Sequence, residues 1–320
     1  MFNMEFEVLE ELYHKICENH TQRLYDLYNS NFNTHNNSKV NSKKISIEFD
    51  SQEINNAFAC SNKYDTIVIY KGLLKKLHKC TQQLIEFEGQ FQTYDEKATI
   101  SVFLFSVSIH FIICHEFAHL YCGHCDLLNE INNKNVQLRL NLDSDIGITP
   151  LDFQTMEMNA DAMAVCRTIN YVLFEPYHDK SIVELIHNKN IEIDLLLKAI
   201  NIIFFVLRDF MPPVSDEYFE TRKHHPTFLR QIMNLQTLKK YLKIEYNKSI
   251  SDEIINQQFA VDEKSLCKLF YIPLNIEHYR NNLNQVFIEH EQKLRANWNL
   301  IYHKLTPFSR VELPPPFLII

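Results

Sequence analysis

One stretch limits this chain more than any other: Ala98 to Cys114, ATISVFLFSVSIHFIIC, which carries no charged residue and runs directly into His115-Glu116-Phe117-Ala118-His119. A run this apolar either fills the middle of a helical core or spans a membrane at the short end of the length range. Ser101, Ser106, Ser108 and His110 interrupt it, which suits a helix buried inside protein better than one facing lipid. Its polar end is equally restrictive. Two histidines and a glutamate at the end of a buried helix are costly without a partner, and a spacing of four puts His115 and His119 on one face, one turn apart. Both rings can then reach a single Zn²⁺, with Glu116 beside the open coordination position as a general base.

The rest of the chain favours helices. With 46% hydrophobic and 12% aromatic residues but only 4 glycines in 320, it is a poor candidate for Gly-rich phosphate loops or a many-turned β-fold. The expected class is mainly α with a small β-sheet (α+β). One domain is expected, with its core over about 45–245, an N-terminal helix over 1–28 and a C-terminal helical region over 246–320. Asp65 to Tyr70 (DTIVIY) reads as a strand and Gly72 onward as a helix. Asn29 to Lys44 reads as a linker, and Asn129 to Pro150 as a polar loop. Further helices are expected from about Thr99 through HEFAH, over Asp152 to Leu173, over Ser181 to Phe210 with a break, over Thr227 to Tyr246 and over Ile276 to Leu305.

A net charge of -8 without a sustained basic run gives no attraction to nucleic acid or anionic lipid. The start, MFNMEFEVLEELYHKI, lacks the basic and apolar regions of a signal peptide. A cytoplasmic protein away from the membrane, with its eight cysteines as reduced thiols, is therefore expected. Cys122-Gly123-His124-Cys125 has the spacing of thiol oxidoreductases, but it follows HEFAH rather than a strand of a βαβ unit.

A third zinc ligand must come from elsewhere. Five residues past His119, His124 would point about 140° away from the zinc face of a continuous helix and reads as a helix-end residue. Glu157-Met158-Asn159-Ala160-Asp161 offers a better source. Glu157 and Asp161 lie one turn apart, so Glu157 can complete a His₂Glu site while Asp161 accepts a hydrogen bond from a ligand histidine. Small Ala160, Ala162 and Ala164 would let that helix pack closely on the HEFAH helix.

HEFAH followed by ExxAD is the gluzincin pattern, and further segments resemble the M48-type metallopeptidases. Asn56-Ala57-Phe58-Ala59 with Thr66 to Leu74 is similar to that family's NAFA…IxVxxGLL segment, and His224-His225-Pro226-Thr227-Phe228-Leu229-Arg230 is similar to its late His-Pro…Arg motif. The similarity covers about residues 53–232 and keeps the family order. It implies a zincin-like catalytic core with extra helices, holding Zn²⁺ through His115, His119 and Glu157. It also implies an oxyanion-side histidine, either His224 or His225, and an Arg230 that supports it or binds substrate. A protein or peptide substrate would then pair as a strand along an edge near Ile67 to Tyr70. Intramembrane zinc proteases also set HExxH on an apolar helix, but their later Asp-Gly is missing. The layout and size resemble phage-exclusion proteases of the Lit type, which would imply a role in bacterial stress or phage defence.

The expected activity is zinc-dependent endoproteolysis, with Glu116 taking a proton from the attacking water. The alternative is a non-catalytic zincin-fold binding or regulatory module, its metal absent or closed off by Cys122 or His124 at the fourth position. Thiol–disulfide exchange through Cys122 and Cys125 would instead require thiols of low pKa.

Overall fold

The computed structural model describes residues 4–32, 44–86, 88, 91–138, 148–173, 184–186, 188, 190–208, 227–271 and 276–316. Along them run α1 (Phe6–Phe32), β1 (Ile45–Asp50), β2 (Ala57–Ser61), β3 (Asp65–Tyr70), α2 (Lys71–Glu86), α3 (Tyr94–Tyr121), α4 (His124–Leu138), α5 (Pro150–Leu173), α6 (Glu192–Val206), α7 (Thr227–Tyr246), α8 (Asp252–Leu269) and α9 (Ile276–Leu305). The architecture is mainly α with one small mixed sheet.

The apolar run becomes α3. It begins at Tyr94 rather than near Thr99 because Thr93 and Glu96 form a reciprocal cap: Thr93 Oγ1 accepts the Glu96 N–H at 3.1 Å, and Glu96 Oε2 accepts the Thr93 N–H at 3.3 Å. From Ile100 to Tyr121 almost every side chain is buried, with α1, α2, α5 and α6 packed around it. Each large apolar side chain so enclosed contributes about 1.5–3 kcal/mol. Among the described residues α3 is the one helix long and apolar enough to cross a membrane, and most of its length is packed inside the protein.

Its polar residues find partners there. His20 of α1 meets Ser106 (Nε2 to Oγ, 2.9 Å) and His110 (Nδ1 to Nδ1, 3.1 Å), and Ser106 lies 3.1 Å from the Tyr171 hydroxyl of α5. Burial, helped by Arg23, pushes the His20 imidazole down to about 3, so that it stays neutral. The partner that lies most extensively along α3 is α5, where Ala160 and Ala164 are fully enclosed and Ala160 sits in one cluster with Ala118. Large residues there would hold the helices apart.

The sheet order is β1-β3-β2, with β1 parallel and β2 antiparallel to β3. This corrects one expectation. Ile67 to Tyr70 belongs to the central strand, paired on both sides, and cannot serve as a free edge. The edge strand beside α3 and α4 is β2. Tyr70 N–H donates to Asn56 O at 3.2 Å, whereas Ala59 O and Ser61 O accept from Cys125 and Asn129 of α4. The backbone N–H and C=O groups of odd-numbered positions of this strand therefore point away from β3. Gly72 fixes the approach to the edge, since a Cβ there would lie 2.4 Å from the Glu53 backbone.

Other differences are local. Asn129 to Leu138, expected as loop, lies in α4, whose Leu127 packs with Trp298 of α9. Helix α1 continues through Phe32, into the expected linker. Strand β1 was not anticipated, and helix α8 was expected only as an undivided part of the helical region over 246–320, although Ser251 caps it by accepting the Ile254 N–H at 3.2 Å. The expected break within 181–210 falls at Asn190, where φ is 52°. Met211-Pro212-Pro213 lies outside the described residues. All eight cysteines are free thiols.

Past α9 the chain folds back under the exit of α3. The Arg310 N–H donates to Tyr121 O at 2.7 Å, as does Ser309 Oγ at 3.2 Å. The Arg310 side chain, fully enclosed, pairs with Asp65 at the start of β3 and with Asp126 of α4 (Nη2 to Oδ2, 2.9 Å), and its guanidinium lies 5.3 Å from the centre of the Tyr121 ring. Residues 308–311 thus clasp the sheet, α3 and α4 together.

Candidate active site

The last two turns of α3 and the middle of α5 bring three ligand atoms to one point. His115 Nε2 and His119 Nε2 are 3.1 Å apart; Glu157 Oε2 is 3.5 Å from the first and Oε1 is 3.4 Å from the second. Donors held at roughly 2.0–2.1 Å around a tetrahedral Zn²⁺ stand about 3.3–3.4 Å from one another, so the spacing fits that ion. Among the described residues no other group of His, Cys, Asp and Glu converges in this way.

The electrostatics fit a cation as well. Glu116, Glu157 and Asp161 contribute three carboxyl groups against the one guanidinium of Arg230, a surplus that a dication would balance. Burial acts to lower the His115 pKa, yet Asp161 and Glu157 outweigh it and raise the imidazole above its ordinary range, so without a metal a proton fills that demand. Burial likewise opposes ionisation of Asp161, but Arg230 and His115 hold it well below the usual carboxylate range.

Each ligand histidine has its other ring nitrogen occupied. His115 Nδ1 lies 2.9 Å from Asp161 Oδ1, an ionic contact off the line of the ring N–H. His119 Nδ1 lies 3.0 Å from His124 Nδ1. Along a continuous helix His124 would point away from the zinc face, and in the alternative reading it would close the fourth position; the structure gives it neither place. Helix α3 instead ends at Tyr121, Gly123 adopts φ 83°, and the chain turns so that His124 opens α4 against His119. The signal for that stop was Gly123 itself. Burial, with His119 next to it, pushes the His124 imidazole well down and keeps it neutral.

Arg230, in the first turn of α7, grips Asp161 with two bonds (Nε to Oδ2, 2.9 Å; Nη2 to Oδ1, 2.8 Å) and reaches Glu157 Oε2 at 3.3 Å. These contacts serve to hold the carboxylates. His224 and His225 lie outside the described residues. Neither alternative fourth ligand stands at the metal point: Cys122 Sγ faces Met163 Sδ at 3.8 Å, and His124 lies on the far side of His119. Burial also raises the thiols of Cys122, to about 12, and of Cys125, the reverse of what thiol exchange requires.

Beside the ligands opens a cleft of about 630 Å³. Glu116 lines it together with Ile54 to Ala59 along the β2 edge, Phe111 and Ile112 of α3, and Val206 to Arg208 at the end of α6.

Comparison with curated proteins and with solved structures gave no match. The model of peptidase family M48 matches residues 33–238, a span that takes in the sheet, α3, α5 and Arg230. With that match over more than half its length, the chain belongs to peptidase family M48 and is a metallopeptidase, a hydrolase.

Proposed function

We propose that this protein is a zinc-dependent endopeptidase that binds its protein substrate as an added strand on the β2 edge. The observation that carries the reading is the convergence of His115 Nε2, His119 Nε2 and Glu157 next to Glu116, in a cleft bordered by residues 54–59 of the β2 edge. Those three residues would hold the metal, which when bound supplies Lewis acidity to a water and to a carbonyl oxygen. Glu116 takes the proton of the attacking water and delivers it to the departing amine nitrogen. Asp161 and Arg230 keep His115 and Glu157 in place. The substrate backbone pairs with the outward groups of Asn55 and Ala57, because Cys125 and Asn129 already occupy the edge carbonyls of Ala59 and Ser61. Side-chain selection falls to the apolar wall of Phe111, Ile112 and Val206.

The test pairs metal content with cleavage. Zinc per chain is measured for wild type, Glu157→Gln and Glu116→Gln, and each is assayed on denatured casein and a random peptide library. One equivalent is expected in the wild type and in Glu116→Gln, with a large loss in Glu157→Gln. Turnover in Glu116→Gln should fall by about 10²–10⁴-fold. Full zinc in Glu157→Gln, or undiminished cleavage by Glu116→Gln, would overturn the assignment.

A further inference from the structure

We infer that Arg208 determines the charge preference of the cleft and that Glu263, a positioning residue, holds its guanidinium in place and cancels its charge. This inference rests on the peptidase reading of the cleft, and it names the class of substrate side chain taken there as apolar rather than acidic. Arg208 follows the last turn of α6 and lines the cleft with Glu116, Phe111, Ile112 and Val206. A guanidinium stays charged at any physiological pH, so left alone at that wall it would draw acidic side chains.

Glu263 of α8 removes that attraction. Its carboxylate meets the end of the fork, Oε1 accepting from Nη1 at 2.5 Å and Oε2 from Nη2 at 3.0 Å, and the two side chains are only 12% and 6% exposed. Two parallel bonds fix direction as well as distance. Salt screens a pair this enclosed only weakly, so the two charges meet the cleft as one neutral unit. Cys267, one turn further along α8, donates to Glu263 Oε1 at 3.6 Å and steadies the acid from behind.

The rest of the wall is held from the same side. Val206 O accepts from Lys76 Nζ of α2 at 2.9 Å, and the Phe205 ring centre lies 5.5 Å from that of Phe270, which follows α8, and 5.3 Å from the Arg208 guanidinium carbon. Next to Glu263, Asp262 accepts from Asn201 of α6 at 2.7 Å. Helix α8 is thus latched to α6 at two adjacent acids, and it begins beyond residue 238, where the family match ends. The cleft wall is tuned from outside the matched span.

The test uses three otherwise identical alanine-based peptides with leucine, glutamate or lysine at the central position. Zinc content, thermal unfolding and kcat/KM on each peptide are measured for wild type, Glu263→Gln, Arg208→Gln and the double variant. The wild type should prefer leucine to glutamate. In Glu263→Gln the amide oxygen still accepts a bond but the anion is gone, so the glutamate-to-leucine ratio of kcat/KM should rise by about tenfold. Arg208→Gln should shift the preference the other way, raising the lysine-to-leucine ratio, and the double variant, neutral again, should return both ratios towards wild type. A pair that served only to hold the fold would lower all three peptides alike. That result, unchanged ratios in a folded single variant, or a wild type that prefers glutamate would overturn the inference. If one single variant does not fold, the sign of the shift in the other decides. Anisotropy of the same peptides, fluorescein-labelled, on the Glu116→Gln form of each protein reads the preference without turnover. A wild type with neither zinc nor cleavage sinks the metallopeptidase reading alone, and the anisotropy still tests the role of Arg208 and Glu263.

Discussion

A single positive φ directs His124 to its place. Gly123 sits at 83°, in the region that L side chains avoid, and a Cβ added there would lie 2.7 Å from the Phe308 backbone and 2.8 Å from that of Ser309. Gly123→Ala should therefore lower folding stability by about 1–3 kcal/mol through backbone strain alone. Urea midpoints measure this directly; a variant as stable as the wild type would mean that the turn tolerates a side chain. The same glycine marks what could be read locally and what could not. His115 and His119 are legible because a helix repeats every 3.6 residues, and Glu157 because it stands one turn from Asp161. The grip of Arg230 on Asp161 spans 69 residues of chain and depends on how α7 meets α5, which no local pattern encodes. His124 fell between these cases, since its position hangs on where α3 stops.

Among the elements, α3 was the most legible, because seventeen uncharged and mostly apolar residues call for a helix shielded from water, in a core or in a bilayer. Helix α4 was the least. Its Asn-rich sequence has weak helical preference, and the helix forms because Leu127 and Leu128 gain an apolar neighbour in α9, a tertiary effect overriding propensity. Helix α8 could have been found from its Ser251 cap. The depth of α3 also has a thermodynamic consequence. His20 and His110 are held neutral between α1, α3 and α5, with Arg23 and Arg167 close by and Ser106, Tyr171 and Cys114 in contact. For a base whose folded pKa is depressed, the unfolded chain binds more protons below its own pKa of about 6.5. The stability is complete above that pH and is lost as the pH falls towards 3. For His20 alone the slope is at most about 1.4 kcal/mol per pH unit. Unfolding curves between about pH 7 and pH 4 should therefore decline more gently in His20→Gln than in the wild type. Parallel curves would remove His20 as the cause.

At the scale of the whole molecule, the elements that carry the site are tied together by a residue far outside the matched family span. Arg310 closes an enclosed triad with Asp65 and Asp126, and burial alone would lower its pKa had the two acids not raised it. Replacing it with an apolar residue leaves both carboxylates without their cation, and Arg310→Met should cost about 3–5 kcal/mol. Guanidinium unfolding checks this, and adding Asp65→Asn to that variant should return part of the loss; a doubly substituted protein no more stable than Arg310→Met would count against the triad. Asp65 and Asp126 stand 245 and 184 residues ahead of Arg310 in the chain. At about 5–20 residues per second, a ribosome that has delivered Asp126 needs roughly 10–40 s more before Arg310 appears. Throughout that interval the HEFAH helix and the edge strand are already written while the clasp beneath them is not. The order of synthesis thus makes the Arg310 clasp one of the last contacts that these elements gain.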